Sequence, residues 1–430
     1  MITLVTCENT QLGEDHMTYM LIKNGTIIDG SGGEPITNRA ILIKGNTIKA
    51  IGLEKDMPYV DDVEVIDADG GFILPGLIDT HVHLMFEQEG LAAKLETPFS
   101  VKFYKAINYM RRTLDAGVTS VRDAGALDIG VKEAVEQGLI DGPRMQISVN
   151  ALTITGGHGD AWMRSGFDTT RVSYPSMPVG VCDGPDDVHL KVREMLRAGA
   201  DIIKVHATGG VMSPTDHPEF TQFSQEELEI IVREAHFRRG LKVMAHAQGA
   251  EGIKNAVRAG IHSIEHGLYL DDEAIELMLK HGTYLVPTLL APVAVLEQAE
   301  ENDTIPGYAV EKARESVEAH MESVTKAYES GVKIAMGTDA GVMPHGTNLR
   351  ELSLMCQAGM TPMEAIVATT KVAAECMGWD DRLGTLHEGK LADIVITSTD
   401  PIAHIASLED TNNIITVIKD GEIVKDLRSK

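Results

Sequence analysis

A chain of 430 residues with 43% hydrophobic content can bury a large core, which excludes a disordered or low-complexity protein. Its 64 acidic against 38 basic side chains leave a formal charge of −26, a field that repels phosphate backbones and anionic membrane surfaces and argues against nucleic acid or lipid as partners. Four scattered cysteines, Cys7, Cys182, Cys356 and Cys376, form no C-x-x-C, which excludes a disulfide scaffold or zinc ribbon and fits a cytoplasmic protein.

The first residues, Met1–His16, lack a basic segment followed by an apolar core, so they read as a loose N-terminal extension and not as a secretory signal. From Tyr19 short alternating runs follow, "YMLIKNGTIIDG", "AILIKGNTIKAIG" and "VEVIDADGGFILPG", separated by the N-G and G-N dipeptides of hairpin turns. The same texture returns after Arg382 in "LGTLHEGKLADIVITS" and "NNIITVIKDGEIVKD". Residues 17–72 and 382–430 are therefore expected to form one small β-sandwich domain built from both ends.

The middle, residues 73–381, alternates strand-like and helix-like segments. Eight strand candidates run in order: "GLIDTHVH", "GVTSVRDA", "RMQISVN", "ADIIKVHA", "KVMAHA", "HSIEHG", "TYLVPTL" and "VKIAMGTDA". Amphipathic runs such as "FSQEELEIIVREAHFRRG" and "DDEAIELMLKHG" lie between them, each ending near a glycine. This alternation predicts an α/β fold, a (β/α)₈ TIM barrel with its active site at the C-terminal ends of the strands. A doubly wound open sheet is the alternative, but no G-x-G-x-x-G follows any strand. The apolar passage "YLVPTLLAPVAVL" is too short and too Pro-interrupted to span a bilayer.

Polar residues cluster where such a barrel would be reactive. His81 and His83 close the first strand and share one of its faces, because side chains two apart in a strand point the same way. Lys204 lies at the end of the fourth strand, His246 of the fifth, His266 of the sixth and Asp339 of the eighth. Each alone has an ordinary explanation as an ion-pair partner, a packed histidine or a helix cap; together at one rim they point to metal. Imidazole and carboxylate without thiolate suit Zn²⁺ and its first-row neighbours in a reactive site. An ammonium would repel such ions, but a desolvated, neutral lysine can capture carbon dioxide and become an anionic carbamate able to bridge two metals.

"GLIDTHVHL", "IKVHATGG", "MAHAQGAEGI", "SIEHG" and "GTDAG" resemble, in order, the metal-ligand motifs of the amidohydrolase superfamily, over nearly the whole chain. "TGGHGD" (residues 155–160) and "PHGTNLRELSLMCQAGMTPMEAI" are similar to the branch containing Xaa-Pro dipeptidases, dipeptide carboxypeptidases and ochratoxin amidases, with imidazolonepropionase a cousin. The resemblance implies a barrel with a small β-sandwich, a homo-oligomer and two divalent ions, expected to be Zn²⁺. His81, His83 and Asp339 would hold the buried ion and His246 and His266 the exposed one, with N6-carboxylated Lys204 and a hydroxide between them. Asp339 would take the proton of the attacking water and pass it to the leaving nitrogen. The implied activity is hydrolysis of a C–N amide bond in a dipeptide, Xaa-Pro or similar, or in an N-acyl amino acid such as an ochratoxin-like amide.

Two positions depart from that branch: Gln248 stands where members cleaving proline dipeptides often carry a tyrosine, and His206 where an apolar residue is common. A free substrate carboxylate gains nothing from the overall charge, so its recognition must be local. The candidates on loops at the rim are His158, Arg164, His217, His345 and the neutral donor Gln248. The alternatives are an imidazolonepropionase-like or other cyclic-amide hydrolase, and a catalytically inactive barrel acting as a scaffold.

Overall fold

The computed structural model describes residues 18–163, 165–169, 174–301 and 305–428; the expected extension Met1–His16 and the candidate Arg164 lie outside the described residues. Strands from both ends of the chain share one eight-stranded sheet. Tyr19–Ile27, Ile36–Lys44, Thr47–Gly52, Val63–Asp67 and Phe72–Pro75 come from the N-terminal part. Ile394–Thr397, Ile414–Lys419 and Glu422–Asp426 come from the C-terminal part. Tyr19–Ile27 is a branch point: its first half runs parallel to Val63–Asp67 and its last two residues pair with Phe72 and Ile73. The sheet closes over its own apolar cluster, dominated by isoleucines such as Ile22, Ile41, Ile66, Ile73 and Ile394, whose stiff branched side chains suit a pleated surface. The expected boundary at residue 72 is the first residue of Phe72–Pro75, a strand whose partners all lie in this sheet.

The middle of the chain forms two parallel sheets. Leu77–Val82, Val118–Asp123 and Arg144–Ile147 make the first. Ala151–Leu152, Ile203–His206, Val243–Ala247, Ser263–His266 and Tyr284–Val286 make the second. Every residue of Leu77–Val82, Val118–Asp123 and Val243–Ala247 is buried, as expected of strands covered on both faces. The predicted third strand, residues 144–150, is a strand only over Arg144–Ile147 in the first sheet; Val149 then takes the left-handed region (φ +66°), and the short strand Ala151–Leu152 just beyond the predicted stretch begins the second sheet. The predicted eighth strand is not continuous either. Its residues make isolated parallel bridges from Ile334 to Leu285 and from Ala340 to Val82, and Asp339 at φ +65° breaks the extended run. Hydrogen bonds nonetheless join this segment to both sheets, from Ala335 N to Leu285 O (2.9 Å) and from Thr80 N to Met336 O (3.0 Å).

Helices cover the outer faces with local stop and start signals. Gln225–Phe237 begins at a capping box in which the Ser224 hydroxyl accepts from Glu227 N and the Glu227 carboxylate accepts from Ser224 N. Asp272–His281 starts at the Asp271 side chain and ends at Gly282 in the left-handed conformation. After Tyr284–Val286 come two helices, Leu290–Glu301 and the long Gly307–Glu329. No helix among the described residues is long and apolar enough to cross a membrane.

One ion pair locks the eight-stranded sheet to the base of the parallel strands. Arg144 donates to both carboxylate oxygens of the buried Asp393, at 2.6 and 3.1 Å, and also reaches Asp420. Bidentate geometry makes this a strong contact, yet its loss matters more than its presence, because Asp393 would be left as an uncompensated buried charge. Arg144→Met should therefore lower stability in denaturant titration by about 3–5 kcal/mol. A change below about 1 kcal/mol would place the pair among inconsequential surface bridges.

Candidate metal and substrate site

Register brings the predicted residues together. In the second sheet Lys204 lies beside Met244, and His206, His246 and Glu265 are successive neighbours across three parallel strands, so their side chains share the inner face. His266 pairs with Ala247 and would point outward by the same parity. Its φ of +75° turns the chain at that residue, so that its ring comes within 4.6 Å of the His246 ring and 5.2 Å of the His81 ring. Asp339 is likewise left-handed, and its N–H donates to His81 O at 2.8 Å. Such conformations in non-glycine residues cost energy and concentrate where a side chain must be aimed.

His81, His83 and Asp339 offer ligand atoms that all lie within 4.8 Å of one another. Asp339 Oδ1 is 3.1 Å from His83 Nε2 and 3.5 Å from His81 Nε2. The other ring nitrogens are already engaged: His81 Nδ1 with Glu265 Oε2 at 2.7 Å, His83 Nδ1 with the Gly125 carbonyl at 3.0 Å. That arrangement fixes both rings with Nε2 forward, the outer support that metal-binding histidines need. Glu265 is itself neutralised by the fully buried Arg122, whose Nη2 donates to Oε1 at 2.9 Å while its Nε donates to Thr80 O at 2.7 Å. Asp79, on the same strand face as His81, accepts from His81 N, Thr338 N, Thr338 Oγ1 and Asn348 Nδ2. It thereby links the first strand to the segment that carries Asp339, and burial pushes its carboxyl up to about 6.

The charge state of the cluster follows from burial. Desolvation, reinforced for His81 and His246 by neighbouring cations, holds His81, His246 and His266 well below the ordinary histidine range, so they are neutral donors of a lone pair. His83 is the exception: burial opposes its charged form, but the Asp339 carboxylate outweighs burial and raises it. Asp339 is lowered: burial opposes this, but the hydrogen bond and charge of His83, with Lys204 nearby, overcome it. Lys204 is buried with Nζ 3.4 Å from His81 Nε2, and burial brings its amine down to about 8. A lysine so placed has an appreciable neutral fraction near neutral pH, which is the form able to react with carbon dioxide.

Of the predicted substrate residues, His158 joins the cluster. Its ring stacks on His246 with centroids 4.3 Å apart, its Nδ1 lies 2.9 Å from Ser213 Oγ, and its N–H donates to Gln222 Oε1. Gly210 lies beneath that ring, where a Cβ would come within 2.3 Å of His158 Cε1. Gln248 is buried, and its side-chain oxygen meets no protein partner. His206 packs edge-on against both the His158 and His246 rings, with Nδ1 also without a protein partner. The remaining two are engaged elsewhere. His217 is 3.7 Å from Glu219 and packs on Phe220; His345 lies buried against Tyr109 with Nε2 on the Phe86 carbonyl, and burial lowers it to about 4. Sequence reasoning missed Glu265, Arg122 and Asp79; the period of two in "IDTHVH" puts Asp79 on the face of His81, whereas only the register with His246 puts Glu265 on the inner face.

Comparison with known proteins identifies the family. The amidohydrolase family model matches residues 72–424. Ochratoxinase of Aspergillus niger is 33% identical over 427 residues, covering 96% of this chain and 88% of that protein. Imidazolonepropionase of Geobacillus kaustophilus is 26% identical, covering 90% of each. Among solved structures, a Xaa-Pro dipeptidase with methionine bound in its active site is 36% identical with a TM-score of 0.85, covering 94% of this chain and 99% of that one. A prolidase complexed with N-methylphosphonate-L-proline is 33% identical with a TM-score of 0.89, covering 95% and 100%. The chain belongs to the amidohydrolase family, whose fold is of the TIM barrel type.

Proposed function

We propose that this amidohydrolase is a metal-dependent enzyme that cleaves the C–N bond of a small amide bearing a free carboxylate, a dipeptide or an N-acyl amino acid. The observation that carries the reading is the convergence of His81, His83, Asp339 and Lys204 on one partly buried space, with His158 stacked on the adjoining His246. The donor set fits divalent ions of the zinc type. In this reading the segment Ile334–Ala340 closes the parallel strands into an eight-stranded barrel, and residues 17–72 with 382–430 form the composite β domain.

His81, His83 and Asp339 would hold one ion, His246 and His266 a second, with carboxylated Lys204 between them. Bound there, the ions supply Lewis acidity and lower the pKa of water. The chain's own residues do the rest. Glu265 and Gly125 O keep the first two imidazoles aimed inward. Asp339, drawn to His83 and held low in pKa, is an ionised carboxylate that accepts the proton of the attacking water and passes it to the leaving nitrogen. His158, fixed through Nδ1 by Ser213, presents the other side of its ring to the substrate carboxylate. The kinship with ochratoxinase and with a prolidase that binds N-methylphosphonate-L-proline supports a substrate with an amide next to a carboxylate. Buried Lys204 weighs against an imidazolonepropionase-like reaction, because a single-metal site needs no bridging carbamate.

The direct test is cleavage by zinc-loaded protein of a library of dipeptides and N-acyl amino acids; no release of any free amine would overturn the proposal. Asp339→Asn keeps one ligating oxygen but loses the base, so kcat should fall by roughly 10²–10⁴ while much of the metal stays bound. Unchanged kcat would move the base elsewhere. Glu265→Gln should weaken metal binding by about 10–100-fold in chelator competition, the usual cost of losing an outer support. His158→Ala should lower kcat/KM by about 10–100-fold, equivalent to a charge-assisted hydrogen bond of roughly 1.5–3 kcal/mol. That loss should largely vanish on a substrate whose carboxylate is amidated; an equal loss on both would assign His158 to the metals or the fold.

A further inference from the structure

The loop that follows Ile203–His206 is held by a side chain almost a hundred residues away in sequence. Lys312, on the helix Gly307–Glu329, donates to three backbone carbonyls of this loop: Gly210 O at 2.9 Å, Ser213 O at 2.8 Å and Asp216 O at 2.7 Å. An ammonium has three donors, so the whole capacity of Lys312 goes to one loop and none is left for a substrate. One turn earlier on the helix, the Tyr308 hydroxyl donates to Met212 O at 3.2 Å. Val211 of the loop packs with Val295, Ile305, Ala309 and Ala313 in an apolar cluster separate from the main core.

The same loop carries the supports of two candidate site histidines. The carbonyl of Gly209 lies 2.9 Å from His246 Nε2, which leaves Nδ1 of that ring for a ligand role. Ser213 Oγ meets His158 Nδ1, and Asp216, which also accepts from Gln222 Nε2 at 3.0 Å, hydrogen-bonds that same hydroxyl. Both rings therefore take their orientation from a stretch of backbone that Lys312 clamps at Gly210, Ser213 and Asp216, while Thr208 Oγ1 donates to Gly209 O and Ser213 Oγ to Gly210 O from within the chain segment itself.

We infer that Lys312 is a positioning residue: by fixing residues 209–216 it sets His246 for the exposed metal ion and His158 for the substrate. This rests on the function proposed above for the two histidines. Lys312→Met keeps the apolar stem and removes the three donors; Tyr308→Phe is a milder variant in the same direction should the first fold poorly. Hydrogen exchange read by mass spectrometry on the metal-loaded protein should show residues 209–216 exchanging about tenfold faster in Lys312→Met, with the parallel strands unchanged. Titration with Co²⁺ should show the first ion binding as in the unaltered protein and the second about 10–100-fold more weakly. With a cleaved substrate, KM should rise more than kcat falls. Unchanged exchange at 209–216, or equal weakening of both ions with uniform loss of protection, would overturn the inference and leave Lys312 a general contributor to stability. If the unaltered protein takes up a single Co²⁺, the two-ion reading fails, and the exchange result still decides the role of Lys312.

Discussion

A carboxylate with no access to water, Glu265, is the point on which the site turns. The Arg122 guanidinium on Oε1 and the His81 ring on Oε2 hold it on both sides. Arg122 ties the second parallel strand to the backbone of the first through Thr80 O, and Glu265 stands on the sixth. Three strands are thus drawn to one internal pair, and the tautomer and tilt of His81 follow from it. His81 in turn faces Asp339 and Lys204, so the rest of the cluster is arranged around a ring whose freedom has been removed.

Much of the fold was legible because strand burial leaves a plain signature. Fully covered strands such as "LIDTHV" and "VMAHA" read as strands from composition alone, and the return of hairpin texture after Arg382 anticipated a sheet shared by both ends. The period of two also gave His81 and His83 one face. It gave less for His266 and Asp339, which reach the cluster only because their own backbone is left-handed. Nothing in a hydrophobic pattern announces such a φ in a residue other than glycine, and the same cause explains why the predicted eighth strand survives only as two bridges. The supports escaped for a different reason: Glu265, Arg122 and Lys312 look like ordinary charged residues until tertiary contacts show which groups they serve.

In an acidic protein, a site made mostly of imidazoles is locally close to neutral. Burial keeps most of those rings neutral, so the cluster does not repel a cation, and the carboxylates nearest to it, Asp339 and Glu265, are each compensated by neighbours. The one buried amine, Lys204, is displaced toward its neutral form in the same surroundings. These features are unhelpful to an empty cavity and favourable to a divalent ion, which would gain neutral nitrogen ligands and fixed oxygen ligands without having to reorganise them.

Amide cleavage, as proposed, depends on metal held by this cluster. The most direct measurement is to strip the protein with a chelator and follow cleavage of an N-acyl amino acid as zinc is returned in measured equivalents. Activity absent from the stripped protein and rising to a break near two zinc ions per chain is the predicted result. Full activity retained after verified removal of metal, or cleavage that does not respond to zinc at any ratio, would contradict it.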